Sequence, residues 1–174
     1  MPDLDEILLN PPPDQNGAFP KEGSVFPMLL RRAWYGLNQA FRRRVAHLNM
    51  TPDQYTVMRT LAQGCKEGLT QKQLTSRMSS DPNTVASLLD RMERADFIER
   101  KIDPNDRRAR RILLKTYGYD SFQQAKDIAV ELQREVLQSL SEESKRLFLQ
   151  ELTTIADACR EAAENSPRKS LRKD

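Results

Sequence analysis

Four arginines crowd five consecutive positions of the chain, with no acidic residue among them: Arg107, Arg108, Arg110 and Arg111. A guanidinium group stays charged at physiological pH and carries its N–H donors in a planar fork, which matches the oxygens of a phosphate group. The run just before them, Asp103-Pro-Asn-Asp, has the residue types of a tight turn. The pattern predicts an exposed loop that binds a polyanion.

A second group of polar side chains lies earlier in the chain, on one face of a segment with helical periodicity. Short hydroxyl and amide side chains can exchange hydrogen bonds with base edges in the major groove of DNA, which is wide enough to admit an α-helix. The polar face carries Asn83, Thr84, Ser87, Asp90, Arg91 and Arg94, and the apolar face carries Val85, Leu88, Leu89 and Met92.

Residues that could perform catalysis are scarce. The single histidine, His47, follows three arginines, and the six glycines form none of the nucleotide-binding or nucleophile motifs. Cys65 and Cys159 are the only cysteines, which is too few for a disulfide framework and fits no zinc spacing. We therefore expect neither an enzyme nor a bound metal or cofactor.

Both polar groups need elements that position them. Thr70 and Gln73 have the spacing of a capping box that opens a short helix, and Asp81 followed by Pro82 opens a second helix after a tight polar turn. Two β-prone runs, residues 97–102 and 110–114, flank the arginine-rich loop and predict a hairpin. A helix-turn-helix followed by a basic hairpin is a winged helix.

The remaining segments predict further helices. Apolar residues recur every three or four positions in residues 26–48, 119–140 and from Ser141 onwards, and a helix from Pro52 is expected to end at Gly64 as a left-handed cap. The predicted fold is therefore mainly α with a small β-hairpin wing. A proline-rich acidic arm and a basic tail flank it.

The net charge of +3 conceals an uneven distribution. Six bases oppose one acid in residues 28–65 and twelve oppose eight in residues 66–117, but five oppose ten in residues 118–165. On charge alone, a polyanion partner and an ordinary solvated surface explain this equally well. No apolar run approaches the roughly 20 residues of a membrane span, and no secretory signal is visible, so we expect a cytoplasmic protein with no membrane partner.

Residues 69–94 and 98–118 resemble the DNA-reading core of the multiple antibiotic resistance regulator (MarR) family. The most specific part is the Asp-x-x-Asp-Arg-Arg wing, Asp103 to Arg108, with the Leu, Thr and Gly that follow it and end at Gly118. The resemblance extends more weakly over residues 26–163. One departure is Asp96, where the family usually has glycine; because Asp tolerates left-handed geometry, we expect the turn to be kept with slight strain.

The resemblance implies a homodimeric transcription regulator that binds a pseudo-palindromic operator in double-stranded DNA. It divides the chain into an arm (1–24), a dimerisation helix (25–50), a winged helix-turn-helix DNA-binding region (51–117), C-terminal dimerisation helices (118–164) and a basic tail (165–174). The apolar stripes of the flanking helices agree with dimerisation, although they also serve packing within the chain.

Individual DNA contacts follow from the same comparison. The base readers are expected on the polar helix face, the phosphate contacts around it and in the loop, and the minor-groove contact at Arg108, while Asp106 resembles the wing acid that holds an arginine. Alternatively, Arg91 and Arg94 pair with Asp90 or Glu93 on the helix surface. The expected readers are Asn83, Thr84 and Ser87; the phosphate contacts are Lys72, Ser80, Arg107 and Arg110; Arg91 could serve either role.

Family members commonly respond to small aromatic or phenolic acids, which implies a repressor released by a ligand. Trp34 resembles the urate-responsive branch, but that branch has arginine where this chain has Asn38, which counts against urate. The alternative for the aromatic residues is simple core packing. The candidate ligand-binding residues are Trp34, Tyr35, Asn38, Tyr55 and Arg59.

Two other functions stay open at this stage. Cys65 adjoins Lys66, whose charge favours a thiolate, so a thiol-based redox-sensing regulator is one alternative; Cys159 lies on an apolar face and is expected to be inert. A winged helix that binds protein is the other. Such a module would need exposed apolar anchors rather than a polar helix face and an arginine-rich loop.

Overall fold

The structure is a computed structural model that describes residues 25–104 and 106–166. The predicted arm, the residues after 166 in the predicted tail and Asn105 lie outside the described residues. The chain divides into two compact units after Pro52, and each is described by itself. No helix in the described ranges is long and apolar enough to cross a bilayer.

Six α-helices and three short strands make up the described residues, which confirms the mainly α prediction. The first unit holds α1 and a 3-10 turn, and the other elements belong to the second unit apart from the first residue of α2. The helices are α1 (Val25–Arg44), α2 (Pro52–Ala62), α3 (Gln71–Arg77), α4 (Pro82–Arg94), α5 (Thr116–Leu137) and α6 (Glu142–Asn165), and the strands are β1 (Leu69–Thr70), β2 (Ile98–Ile102) and β3 (Arg110–Leu114).

Helix α1 is shorter than its apolar periodicity predicts. It ends at Arg44, and residues 46–48 form a 3-10 turn that Asn49 closes with a left-handed φ of 50°. Arg42, Arg43 and Arg44 lie in the last turn, where positive charge interacts favourably with the helix dipole.

The helix-turn-helix forms as predicted because both helices are capped by their own sequence. The Thr70 amide donates to Gln73 Oε1 at 2.8 Å, and the Gln73 amide donates to Thr70 Oγ1 at 3.3 Å, which completes the capping box of α3. Asp81 Oδ1 accepts from the amides of Asn83 and Thr84 at 3.0 and 2.9 Å. The start of α4 is therefore set by residues that adjoin it in the chain.

Two left-handed residues turn the chain at the ends of α3 and α4. Ser79 has a φ of 49° and Asp96 a φ of 63°, and the amides that follow reach back in the Schellman pattern, Ser80 to the Thr75 carbonyl and Phe97 to the Met92 carbonyl. The expectation for Asp96 is confirmed. The prediction that Gly64 is left-handed is wrong: among the described glycines, Gly68 has the positive φ, at 81°.

The wing belongs to a three-stranded antiparallel sheet with the order β1-β3-β2. Glu99 pairs with Leu113 and Ile102 with Arg110, while the two-residue strand β1 pairs Leu69 with Ile112. The sequence analysis missed β1, which is too short for a periodic signal. The apolar sides of the sheet and of α4 meet in one core, which contains Leu69, Leu74, Val85, Leu89, Met92, Phe97, Ile98 and Ile112.

Helix α5 begins at Thr116, three residues before the predicted Tyr119, and its start lies against the turn that follows α4. The Lys115 amide donates to the Phe97 carbonyl at 3.1 Å, and Phe97 stacks on Tyr117 with ring centroids 5.3 Å apart. A Cβ at Gly118 would lie 2.0 Å from the Phe97 carbonyl oxygen. Only glycine allows this approach.

Helix α6 differs from the others in having no buried residue. Leu147, Phe148, Leu149 and Ile155 remain between 36% and 46% exposed. These side chains expose more contiguous apolar surface than a helix on the surface of a monomeric protein normally does.

We expect Gly118→Ala to destabilise the second unit by about 2 kcal/mol or more, because the added methyl group overlaps a backbone atom that cannot move aside. Urea unfolding followed by circular dichroism measures the change. Gly36→Ala is the matched control: Gly36 lies in α1 with no heavy atom within 4 Å of the added Cβ, so alanine should leave stability unchanged or raise it by up to about 1 kcal/mol. Equal effects at the two positions would contradict the packing argument.

Candidate nucleic-acid interface

The polar face of α4 is open to solvent. Asn83, Thr84, Ser87 and Arg91 are all exposed. The pKa of Asp81 lies below its ordinary value because Thr84, through its side chain and its amide, and the Asn83 amide hydrogen-bond to the carboxylate. The helix therefore begins with a charged cap that also orients the Thr84 side chain.

Lys72 and Ser80 lie beside this face, on α3 and in the turn. Lys72 is exposed and Ser80 is half-buried, with its amide donating to the Thr75 carbonyl at 3.2 Å. Gln71 Nε2 donates to the Pro82 carbonyl at 3.3 Å, which joins the start of α3 to the start of α4. The six predicted helix-turn-helix residues thus belong to one rigidly connected motif.

Three of the four loop arginines are exposed and have no carboxylate partner among the described residues: Arg107, Arg108 and Arg110. Asp106 shapes the loop, since its Oδ1 accepts from the Arg108 amide at 2.9 Å and its carbonyl accepts from the Ala109 amide at 2.9 Å. The loop is closed at its base by the Asp103 amide, which donates to the Ala109 carbonyl at 3.1 Å.

The fourth arginine, Arg111, has a structural role instead. Its Nε lies 2.6 Å from Oδ2 of Asp103, whose side chain is only 6% exposed, and its Nη1 donates to the Gly68 carbonyl at 3.2 Å. The hydrogen bond to Asp103 raises the pKa of Arg111. Asp103 therefore holds an arginine side chain, that of Arg111, because it lies inside the hairpin, whereas Asp106, at the tip, holds the backbone amide of Arg108.

Arg100 of β2 is the functional candidate that the sequence analysis missed. Its Nη2 lies 2.7 Å from Asp90 Oδ1 and its Nη1 lies 2.7 Å from Glu93 Oε2. The alternative pairing of Arg91 and Arg94 with these acids is thus not observed. A guanidinium-bearing strand beside a helix with two acids three residues apart was the available signal.

The candidate ligand residues are divided between the two units: Trp34, Tyr35 and Asn38 belong to the first, and Tyr55 and Arg59 belong to the second. Trp34 and Tyr35 are 62% and 60% exposed on α1, where Asn38 Nδ2 donates to the Trp34 carbonyl at 2.9 Å. Tyr55 of α2 stacks on Phe122 of α5 with centroids 5.8 Å apart. Burial raises the pKa of Tyr55, and the charge of Arg59 partly opposes that shift.

Both cysteines are exposed. The Cys65 thiol donates to the Gly68 carbonyl at 3.0 Å, a contact that a thiolate cannot make. Arg111 Nη1 lies 3.9 Å from the sulfur, but Asp103 already holds that guanidinium. Cys159 proves exposed rather than covered within the chain.

The cap of α4 gives the helix-turn-helix a predictable response to acid. Because folding lowers the pKa of Asp81 below its ordinary value of 3.8, the cap stabilises the fold above that value and this contribution is lost as the pH falls through the folded pKa. Asp81→Asn keeps an acceptor oxygen but cannot titrate. We expect the variant to lose less stability than the parent between about pH 5 and pH 3, as measured by urea unfolding; identical pH profiles would contradict this role.

Comparison with known proteins agrees with this geometry. The sequence profile of the MarR family matches residues 50–109. The chain is 32% identical to the transcriptional regulator HosA of Escherichia coli over 135 residues, which cover 75% of this chain and 98% of that protein.

Among solved structures, the MepR–DNA complex of Staphylococcus aureus is similar with a TM-score of 0.72 and 25% identity, over 76% of this chain and 97% of MepR. The repressor CouR bound to a DNA duplex has the same fold, with a TM-score of 0.70, 24% identity and coverage of 79% and 98%. Membership of a family of regulators also confirms the prediction that the chain is not an enzyme. The chain belongs to the MarR family of winged helix-turn-helix transcriptional regulators.

Proposed function

We propose that the chain is a homodimeric repressor that binds a pseudo-palindromic operator in double-stranded DNA. The observation that carries the proposal is the combination, on one winged helix, of an exposed polar face on α4 and three wing arginines without carboxylate partners in the described ranges. The similarity to MepR, which was solved as a DNA complex, supports it.

In this proposal α4 enters the major groove and Asn83, Thr84 and Ser87 meet base edges. Their side chains are short, so the helix must approach closely, and Lys72 and Ser80 lie where phosphates would flank it. Arg91 extends from the same face. Its Nε donates to the Ser87 carbonyl at 3.3 Å, which directs the guanidinium towards the reading residues.

The wing then reaches the adjoining minor groove. Arg108 is placed in the groove, where narrow A·T stretches concentrate negative potential, and Arg107 and Arg110 contact phosphates on either side. The hydrogen bond from the Arg108 amide to Asp106 holds the loop tip in one conformation. A fixed loop loses less entropy when it binds.

Dimerisation would use α1 (within residues 25–50) and the helices of residues 118–164. Exposed apolar side chains on α1, α5 and α6 supply the contact area, among them Leu30, Val130, Val136 and Phe148. Two-fold symmetry would set the two copies of α4 about one DNA turn, or ~10 bp, apart. As a regulator that reads DNA, the protein would act in the cytoplasm.

A small aromatic or phenolic acid is the proposed effector. Two separate surfaces carry candidates for it. Trp34 and Tyr35 of the first unit are too exposed to serve only as core residues, and Arg59 of the second unit is an exposed cation that suits a carboxylate. Redox sensing through Cys65 is not favoured, because its thiol donates to the Gly68 carbonyl and the nearby Arg111 is paired with Asp103.

Selection of bound duplexes from a random pool tests the proposal directly. We expect a recovered palindrome whose half-sites lie about one helical turn apart, and binding that weakens linearly in log affinity with log salt concentration. Recovery of no motif, or binding insensitive to salt, would reject it.

We expect Arg108→Ala to weaken binding to the selected duplex about tenfold or more at moderate salt, because it removes one minor-groove cation. The melting temperature should not change, since the side chain is exposed and makes no ion pair within the described residues. Lys126→Ala, which removes an exposed positive charge from α5, is the matched control. Unchanged affinity of the Arg108 variant would refute the wing assignment.

Asn83→Ala should act differently, on sequence preference. Loss of one base contact costs roughly 1–3 kcal/mol on the preferred duplex and should leave binding to random-sequence DNA unchanged. Competition of the two duplexes in gel shifts measures the ratio. An equal loss on both would move Asn83 to the phosphate contacts.

A further inference from the structure

We propose that Arg100 is a positioning residue that occupies the acids of the reading helix and thereby frees Arg94 to contact a DNA phosphate; this rests on the proposed function. Arg100, Asp90 and Glu93 are called the Arg100 clamp below.

Asp90 lies on the side of α4 that carries the proposed reading residues. Asp90 follows Asn83 by seven residues, almost two full helical turns, so both lie on the same face. Its side chain is 56% exposed. An unneutralised carboxylate at this position would face the phosphates of any duplex that Asn83 reads and would repel them.

Two arginines, Arg94 and Arg100, are available as partners of Asp90. Asp90 and Arg94 are four residues apart with the acid first, which is the favourable arrangement for an ion pair along a helix. The structure nevertheless pairs Asp90 with Arg100, at 2.7 Å. Arg94 donates its Nε to the Asp90 backbone carbonyl at 3.1 Å, and its exposed guanidinium makes no ion pair within the described ranges.

Arg100 loses less side-chain freedom than Arg94 would on pairing with Asp90. Its side chain is only 25% exposed, and its two terminal nitrogens hold Asp90 and Glu93 separately, each at 2.7 Å. Arg94 is exposed and would have to order a long side chain to hold the same acid. Because Arg100 extends from β2, the clamp also joins the strand that leads into the wing to the helix that enters the groove.

The clamp thus pairs Asp90, the acid on the reading face, and leaves Arg94 available. Arg94 lies seven residues after Ser87, on the same face and towards the C-terminal end of α4. A cation there would contact the phosphates beside the bases that Asn83 and Ser87 read.

The test is a double-mutant cycle on the duplex that the wild-type chain recovers from a random pool. We expect Arg100→Ala to weaken binding about tenfold, because Asp90 then pairs with Arg94 and withdraws it from the phosphate. Asp90→Asn in the Arg100→Ala background should restore affinity to within about threefold of wild type. Arg94→Ala should weaken binding and reduce the slope of log affinity against log salt by about 0.9, the value for one phosphate.

Lys101→Ala is the matched control for the loss of charge. Lys101 is the next residue on β2 and pairs with Glu99 at 2.6 Å, on the exposed part of the strand. If Arg100→Ala weakens binding no more than Lys101→Ala, or if Asp90→Asn fails to restore it, the inference is wrong. If Arg100 had only a structural role, neutralising an acid would not restore the DNA affinity lost in Arg100→Ala.

Should Arg100→Ala fail to fold, the variant Asp90→Asn with Glu93→Gln gives the same answer with Arg100 intact. It removes both acids, so DNA affinity should be equal to or higher than that of wild type; a loss beyond about threefold would overturn the inference. Failure of the proposed function looks different, since the wild-type chain itself would then show no salt-dependent binding to DNA.

Discussion

The close contact at Phe97 is the constraint on which the arrangement of the winged helix depends. Its amide closes the turn after α4, its carbonyl accepts from Lys115 at the start of α5, and its ring is 2% exposed beneath Tyr117. Gly118 makes the approach of α5 sterically allowed. The reading helix α4, the first wing strand β2 and helix α5 are therefore held at one point, and a residue with a Cβ at 118 would separate them.

Around this point, opposite charges are paired so that the proposed DNA-facing cations stay available. Asp103 holds Arg111, Arg100 holds Asp90 and Glu93, and Lys115 pairs with Asp96. The acids of α4, Asp90 and Glu93, are paired with Arg100 of the first wing strand rather than with the loop arginines. Burial strengthens the Asp103 pair in particular, since screening by water is weaker there.

Much of this fold could be predicted because its signals are local. The capping box at Thr70 and the cap at Asp81 depend on residues within three positions of each other, and the apolar face of α4 repeats with the helical period. The missed features depend on contacts between distant residues. Strand β1 exists only because β3 lies beside it, and the residue that precedes α5, Lys115, is held by the distant Phe97 carbonyl.

By itself the sequence determined the order of helices and strands, the polar face of α4 and the arginine-rich wing, since turn chemistry, caps and periodicity act over a few residues. Only the tertiary structure decided which charges are available. Arg110 and Arg111 are adjacent and chemically identical, but side chains alternate along a strand, so Arg111 reaches the nearly buried carboxylate of Asp103 while Arg110 stays exposed. The pairing register across the hairpin makes that distinction, and no local pattern specifies it.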